Sequence, residues 1–211
     1  MKKRIYFVRH GETDCNSKNL IQGRGINAPL NALGHQQAEA FYRYYKHIPF
    51  DRIYTSSLQR THQSMAPLIQ SGIPHEILSG FDEMDFGIME GKAMFDANGA
   101  FMLESLLNQW KECNGDAKVE GGESPYDVQV RMSNALEYIL SRMEETNVVV
   151  CMHGRALRIL LCHLLNKPIS SMEQFFHPNL TASIFDYDYD SKSFMPVAIA
   201  SSVHLEGQRI S

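Results

Sequence analysis

Three short clusters in the chain bring together side chains suited to phosphorus chemistry: Arg9-His10-Gly11-Glu12-Thr13, Ser56-Ser57-Leu58-Gln59-Arg60 and His153-Gly154-Arg155. Each follows a short apolar run, so each falls just past the carboxyl end of an expected strand, the edge of an open α/β sheet where ligands bind. Arg9 and Arg60 supply planar guanidiniums, which match phosphate oxygens in a bidentate way that lysine does not. His10 and His153 supply imidazoles, and a neutral imidazole, with a reference pKa of about 6.5, is a competent nucleophile near neutral pH. Attack on phosphorus gives a phosphohistidine and splits one hard displacement into two easier ones. The pattern points to phosphoryl transfer through a histidine.

Loss of an alkoxide then needs a proton. The candidate donors lie in Phe81-Asp82-Glu83-Met84-Asp85-Phe86-Gly87, where Phe81, Met84 and Phe86 are expected to desolvate Glu83 and suit it to proton donation. Asp82 and Asp85 are the competing candidates, and Glu90 is close by. The remaining histidines (His35, His47, His62, His75, His163, His177 and His204) form no His-Glu-x-x-His spacing and receive no role. Gly23-Arg24-Gly25 is not a dinucleotide fingerprint, and no Gly-x-x-x-x-Gly-Lys-Ser/Thr loop occurs, so an NTPase has little support.

The elements that must position these residues read as alternating strands and helices. Strands are expected at Arg4–Arg9, Arg52–Thr55 and Asn147–Met152, the last with Val148, Val149, Val150 and Cys151 as a buried strand requires. Helices are expected at Gly34–His47, at Leu58–Gln70 with a kink at Pro67, after the cap Ser124-Pro125 with its stripe Val128, Met132, Ala135, Ile139 and Met143, and at Arg155–Leu165. Ser183–Tyr189 and Phe194–Ala200 read as a closing hairpin around Asp190 and Ser191. This alternation argues for an α/β fold with a largely parallel sheet. Residues 84–122 break the rhythm and read as an inserted cap over one end of the sheet.

The 211 residues are 44% hydrophobic and 21% charged, which fits one globular domain. A net charge of −4 and a pI near 6.1 disfavour a nucleic-acid partner. The first apolar run is cut off at Arg9, so neither a signal peptide nor a membrane span is expected. Cys15, Cys113, Cys151 and Cys162 are scattered, as free thiols in a reducing, cytoplasmic compartment would be.

Taken in order, Arg9-His10-Gly11-Glu12-Thr13, Asn16, Gln22-Gly23, Pro29-Leu30, Gly34, Gln37-Ala38, Ser56-Ser57-Leu58 with Arg60, Glu83 with Phe86-Gly87, Glu90-Gly91, Gly122-Glu123-Ser124 and His153-Gly154 resemble the histidine phosphatase superfamily, the phosphoglycerate mutase-like group, in its phosphatase branch. The resemblance implies a three-layer α/β sandwich, a central mostly parallel mixed sheet with helices on both faces, and no metal cofactor. It makes His10 the nucleophile, Arg9, Arg60 and His153 the rest of the phosphate pocket, and Glu83 the proton donor. Asn16, Gln22, Gly23 and Gly154 become substrate-binding positions. Two departures are Asn27, where the family often carries an acid, and Cys151-Met152 before His153, where it tends to have a small polar residue.

The cap has three lysines, Lys92, Lys111 and Lys118, and no arginine, so it is poorly suited to grip a second anionic group. Most of its apolar residues are expected to pack against the sheet and some to touch the leaving group, making the substrate a monophosphate with an apolar or neutral organic part. The expected activity is a metal-independent phosphomonoesterase on a small phosphorylated metabolite. A mutase is the nearest rival, and a non-catalytic phospho-ligand binding protein a second. The sequence leaves room for a homodimer without naming its face.

Overall fold

A computed structural model describes residues 1–97 and 100–206, which run through β1 (Lys2–Arg9), α1 (Asp14–Ser17), α2 (Ala32–Tyr45), β2 (Arg52–Thr55), α3 (Gln59–Gln70), β3 (His75–Ile77), α4 (Glu104–Lys111), α5 (Pro125–Ser141), β4 (Asn147–Met152), α6 (Gly154–Leu164), β5 (Ala182–Asp188) and β6 (Ser193–Ser201). The strands form one sheet in the order β3-β2-β4-β1-β5-β6. The first four of these are mutually parallel, while β5 runs antiparallel to β1 and β6 antiparallel to β5. The sheet is therefore mixed, with the parallel strands β4 and β1 at its centre.

Both faces of that centre are covered, which is why Val148, Val149, Val150 and Cys151 can be apolar without a break. Side chains alternate along β1 with a period of two. Ile5 and Phe7 join Val128, Met132 and Ile139 of α5 and Leu157 and Leu160 of α6 in one core. Tyr6 and Val8 join Phe41 of α2 and Met65 and Leu68 of α3 in the other. Helices thus lie on both faces, giving the expected three layers. Among the described residues no helix is long and apolar enough to cross a membrane.

Local signals explain several boundaries. Ser124 and Asp127 form a reciprocal capping box with Pro125 at the first helical position of α5. Leu58 offers α3 no side-chain cap; instead Asn27, the residue that departs from the family's usual acid, accepts from the Gln59 N–H at 2.8 Å. The helix continues through Pro67, where a kink was expected, to Gln70. Within residues 84–122, Leu103, Leu106 and Trp110 pack into the α5/α6 core, so part of this segment is continuous with the domain's interior.

At the end of the sheet opposite the strand carboxyl termini, Lys3 is buried and its Nζ donates to the carbonyls of Ile139 at 2.5 Å and Arg142 at 2.8 Å. These are carbonyls at and just beyond the end of α5; Ile139 also accepts the Arg142 N–H at 3.3 Å and Arg142 the Glu145 N–H at 3.1 Å, so the lysine adds a second donor to each. Lys3→Met keeps the apolar stem and removes one charged donor from each carbonyl, and a loss of about 1 kcal/mol is expected. Urea unfolding checks it, and an unchanged midpoint would contradict this account.

Candidate active site

β1, β2 and β4 are parallel, so His10, Ser56 and His153 arrive together at one sheet edge. The His10 main chain is pinned there by its N–H, which donates to the Met152 carbonyl at 3.0 Å. Its ring nitrogen Nδ1 lies 2.7 Å from the Gly11 carbonyl. A carbonyl only accepts, so Nδ1 carries the proton and the lone pair of Nε2 is free. The His153 ring stands 5.1 Å away, centre to centre. Arg60 Nε donates to His153 Nδ1 at 3.1 Å, which puts the His153 proton on Nε2, donating to Ser56 Oγ at 2.7 Å. Burial first, and then the nearby Arg60, hold both imidazoles well below the usual histidine range. Both rings are neutral at physiological pH.

Arg60 is fully buried and Arg9 half-buried, and among the described residues neither has an ion-pair partner, although Glu83 attracts both from a distance. Besides His153, Arg60 donates from Nη1 to the Ile26 carbonyl at 2.7 Å and from Nη2 to the Gly23 carbonyl at 3.2 Å. Arg9 donates from Nη1 to the His177 carbonyl at 2.6 Å, and its buried Nε has no partner. All of these acceptors are neutral. Burial lowers each guanidinium to about 10, still charged at neutral pH. A Cβ on residue 154 would stand 3.3 Å from Arg9 Nε, so Gly154 keeps the space beside that guanidinium open.

The four acids between Asp82 and Glu90 are separated by their partners. Glu83 Oε1 accepts from the N–H groups of Met84 and Ala156, both at 2.9 Å, and Oε2 from that of Arg155 at 3.1 Å. The carboxylate thus caps the start of α6, where free N–H groups favour an anion. Phe81, Met84 and Phe86 are buried around it as the sequence suggests; the three amide donors have no local sequence signal. Asp82 accepts from the N–H and hydroxyl of Ser57, both at 2.8 Å, and Asp85 from the Gly87 N–H at 2.8 Å. Glu90 accepts from the N–H groups of Phe86 and Gly25. Arg131 of α5 fixes the segment by donating to the carbonyls of Gly80, Asp82 and Glu83 while pairing with Glu123.

A cavity of about 560 Å³ opens over this edge. Of the residues expected to act, Arg9, His10, Asn16, Gln22, Glu83 and Gly154 line it. Arg60 and His153 are fully buried behind the wall. Gly23 is behind it too: its carbonyl receives Arg60, and a Cβ there would come within 1.9 Å of Glu90 Oε1. Phe86, Met94, Phe95, Phe101, Leu103 and Leu107 form an apolar wall from the inserted segment.

Sequence reasoning missed several contributors. Arg155 and Arg158 of α6 also line the cavity, sharing the Glu173 carboxylate, and Arg155 stacks 5.3 Å from the Trp110 ring. A count of cations confined to the cap does not see them, because they come from the helix after His153. Asn179 lines the cavity as well. His177 reaches the site through its main-chain carbonyl, which no side-chain pattern can announce.

A family model described as the histidine phosphatase superfamily (branch 1) matches residues 5–199. The fructose-2,6-bisphosphatase TIGAR B of Danio rerio is 34% identical over 158 residues, 72% of this chain, and the chain spans only 57% of that relative's length. A probable phosphoglycerate mutase GpmB of Enterobacter is 30% identical over 192 residues, 87% of this chain and 84% of that one. A solved phosphoserine phosphatase from Entamoeba histolytica, in complex with 3-phosphoglyceric acid, superposes with a TM-score of 0.82 over 96% of this chain and 99% of its own, at 24% identity. The family match runs through all three strand-end clusters, and the chain belongs to the histidine phosphatase superfamily.

Proposed function

We propose that the protein is a metal-independent phosphomonoesterase that acts on a small phosphorylated metabolite through a covalent phosphohistidine on His10. The observation that carries this reading is that Arg60, fully buried, and Arg9, half-buried, hydrogen-bond to neutral partners only, beside a neutral imidazole with a free Nε2. A phosphate dianion supplies the countercharge that the fold withholds.

In this reading Nε2 of His10 attacks phosphorus, the N–P bond forms and the P–O bond to the leaving group breaks. Glu83 gives its proton to the departing oxygen. As a carboxylate it then takes a proton from water, whose oxygen attacks phosphorus; the N–P bond breaks and the neutral imidazole returns with its proton still on Nδ1. Arg9 and Arg60 stabilise the charge spread over the phosphoryl oxygens, and His153 completes the pocket from behind, accepting from Arg60 and donating to Ser56. Asn16 and Gln22 donate to the same group, Gly154 leaves room for it, and Gly23 contributes through Arg60.

We read residues 84–122 as a cap within a single domain, and its apolar wall as the surface that meets the organic part of the substrate. A mutase shares the first half-reaction and gains support from Arg155 and Arg158 in the cavity wall. Both share the carboxylate of Glu173, however, which weakens their grip on a second anion, so hydrolysis ranks first. The four free cysteines and the net charge of −4 suit a reducing cytoplasm with neither nucleic acid nor membrane as partner.

Phosphate release from a panel of phosphomonoesters, with EDTA present, is expected from the wild type, and His10→Ala is expected to lower it by about a thousandfold or more. Retained turnover in the variant would remove His10 from the mechanism. The ring of His10 is expected to titrate below the ordinary 6.5, because burial and the nearby Arg60 disfavour its charged form. A histidine NMR titration midpoint at or above that value contradicts it. Bulky aromatic monophosphates are expected to be cleaved faster than 2,3-bisphosphoglycerate, and a strong preference for the bisphosphate would sink the apolar-substrate reading.

A further inference from the structure

Asn179 lies in the loop between Gln174 and β5 and has no part in the chemistry above, yet its side chain touches both the nucleophile's main chain and a substrate-binding residue. A carbonyl oxygen only accepts, so the Asn179 atom 3.0 Å from the His10 carbonyl is the amide nitrogen Nδ2. That nitrogen is also 3.1 Å from the Asn16 side chain, whose facing atom must then be the oxygen Oδ1. A second donor that cannot accept agrees, for the Thr13 N–H meets the same Oδ1 at 3.2 Å. With Oδ1 held by two donors, the amide nitrogen of Asn16 is turned the other way, on the cavity wall it shares with Arg9 and His10. The Thr13 hydroxyl oxygen lies 2.8 Å from Gln22 Oε1 and 3.1 Å from Asn16 Oδ1, and the buried Gln22 Nε2 has no partner among the described residues.

A phosphoryl group presents only acceptors. An amide nitrogen turned toward it gains a hydrogen bond, whereas an amide oxygen in the same place repels it. We propose that Asn179 is a positioning residue: by carrying the polarity of the His10 carbonyl across to Asn16, it acts with the Thr13 N–H to hold the end of that amide that faces the phosphoryl group. The proposal rests on the phosphate-binding reading of this cavity. It does not make Asn179 a prop for the loop, because the Leu180 N–H docks the loop on the carbonyls of Arg9, at 3.0 Å, and His10, at 3.2 Å, without help from the Asn179 side chain.

A double-mutant cycle tests it, with Asn179→Ala, Asn16→Ala and the two combined, read both on orthovanadate affinity by calorimetry and on phosphate release from 4-nitrophenyl phosphate. In the wild-type background Asn179→Ala is expected to weaken orthovanadate binding and to lower kcat/KM, each by about tenfold or more. In the Asn16→Ala background the same change is expected to matter by less than about twofold, since the residue it acts through is gone. An equal loss in both backgrounds, as a purely structural role would give, overturns the proposal, and so does no loss in either. Should Asn179→Ala fail to fold, Asn179→Leu, similar in size and without donors, takes its place in the cycle. Orthovanadate binding needs no turnover, so a wild type that binds it but hydrolyses nothing defeats the phosphatase reading alone, and the affinity cycle still decides on Asn179. A wild type that does not bind it defeats both.

Discussion

Two guanidiniums, one fully buried and one half-buried, with no ion-paired carboxylate among the described residues, are the condition on which the rest of the site depends. Taking a charge out of water without a counterion is expensive, and the fold tolerates it by surrounding Arg9 and Arg60 with fixed dipoles: the carbonyls of Gly23, Ile26 and His177 and the imidazole of His153. Carbonyls satisfy the N–H groups without cancelling the charge. Every acid near the site is correspondingly engaged elsewhere. Asp82 is held by Ser57 and Arg24, Glu123 by Arg24 and Arg131, Glu90 by two backbone amides and Glu12 by the Asn31 amide. A carboxylate free to swing onto either arginine would compete with the very anion the pocket is shaped to attract.

The same economy governs α6. A helix that begins at a strand's carboxyl end often aims its first N–H groups at phosphate. Here two of those groups, from Arg155 and Ala156, bind the Glu83 carboxylate instead. In the proposed reaction the phosphoryl oxygens are left to the arginines and side-chain amides, and the helix start holds the carboxylate proposed to exchange protons with the leaving group. Glu83 can arrive there only because Arg131 ties the carbonyls of Gly80, Asp82 and Glu83 to α5. Two helices from the same face of the sheet therefore position one carboxylate, one through its first amides and the other through a side chain.

How much of this could be read from the sequence follows from the range of each interaction. The strands that carry Arg9 and His153, and the one that leads to Ser56, are marked by local apolar runs, and the α5 cap by Ser124, Pro125 and Asp127. β3 has no such mark, since His75-Glu76-Ile77 is neither an apolar run nor an alternation, and its pairing with β2 places it. Choosing Glu83 over Asp82 and Asp85 lay beyond local inspection because all three share the same neighbours in the chain. What separates them is the start of α6, distant in sequence. Asn179 sits in a loop without periodicity and acts on a main-chain carbonyl, so neither pattern nor residue type at the other end gives it away.

The cavity's charge pattern bears on substrate choice in a way that residue counting alone misjudges. The cap is poor in cations, yet the cavity holds Arg155 and Arg158 from α6. Their shared Glu173 and the aromatic rings of Trp110 and Phe176 beneath them occupy much of what a guanidinium offers a ligand. Each arginine is thereby fixed in place, and the pair presents less net charge than two free cations would. Discrimination among phosphomonoesters then falls to shape and to the apolar wall of Phe86, Met94, Phe95, Phe101, Leu103 and Leu107, whose contribution scales with the apolar area a leaving group can bury. Such a wall distinguishes small differences in size only weakly.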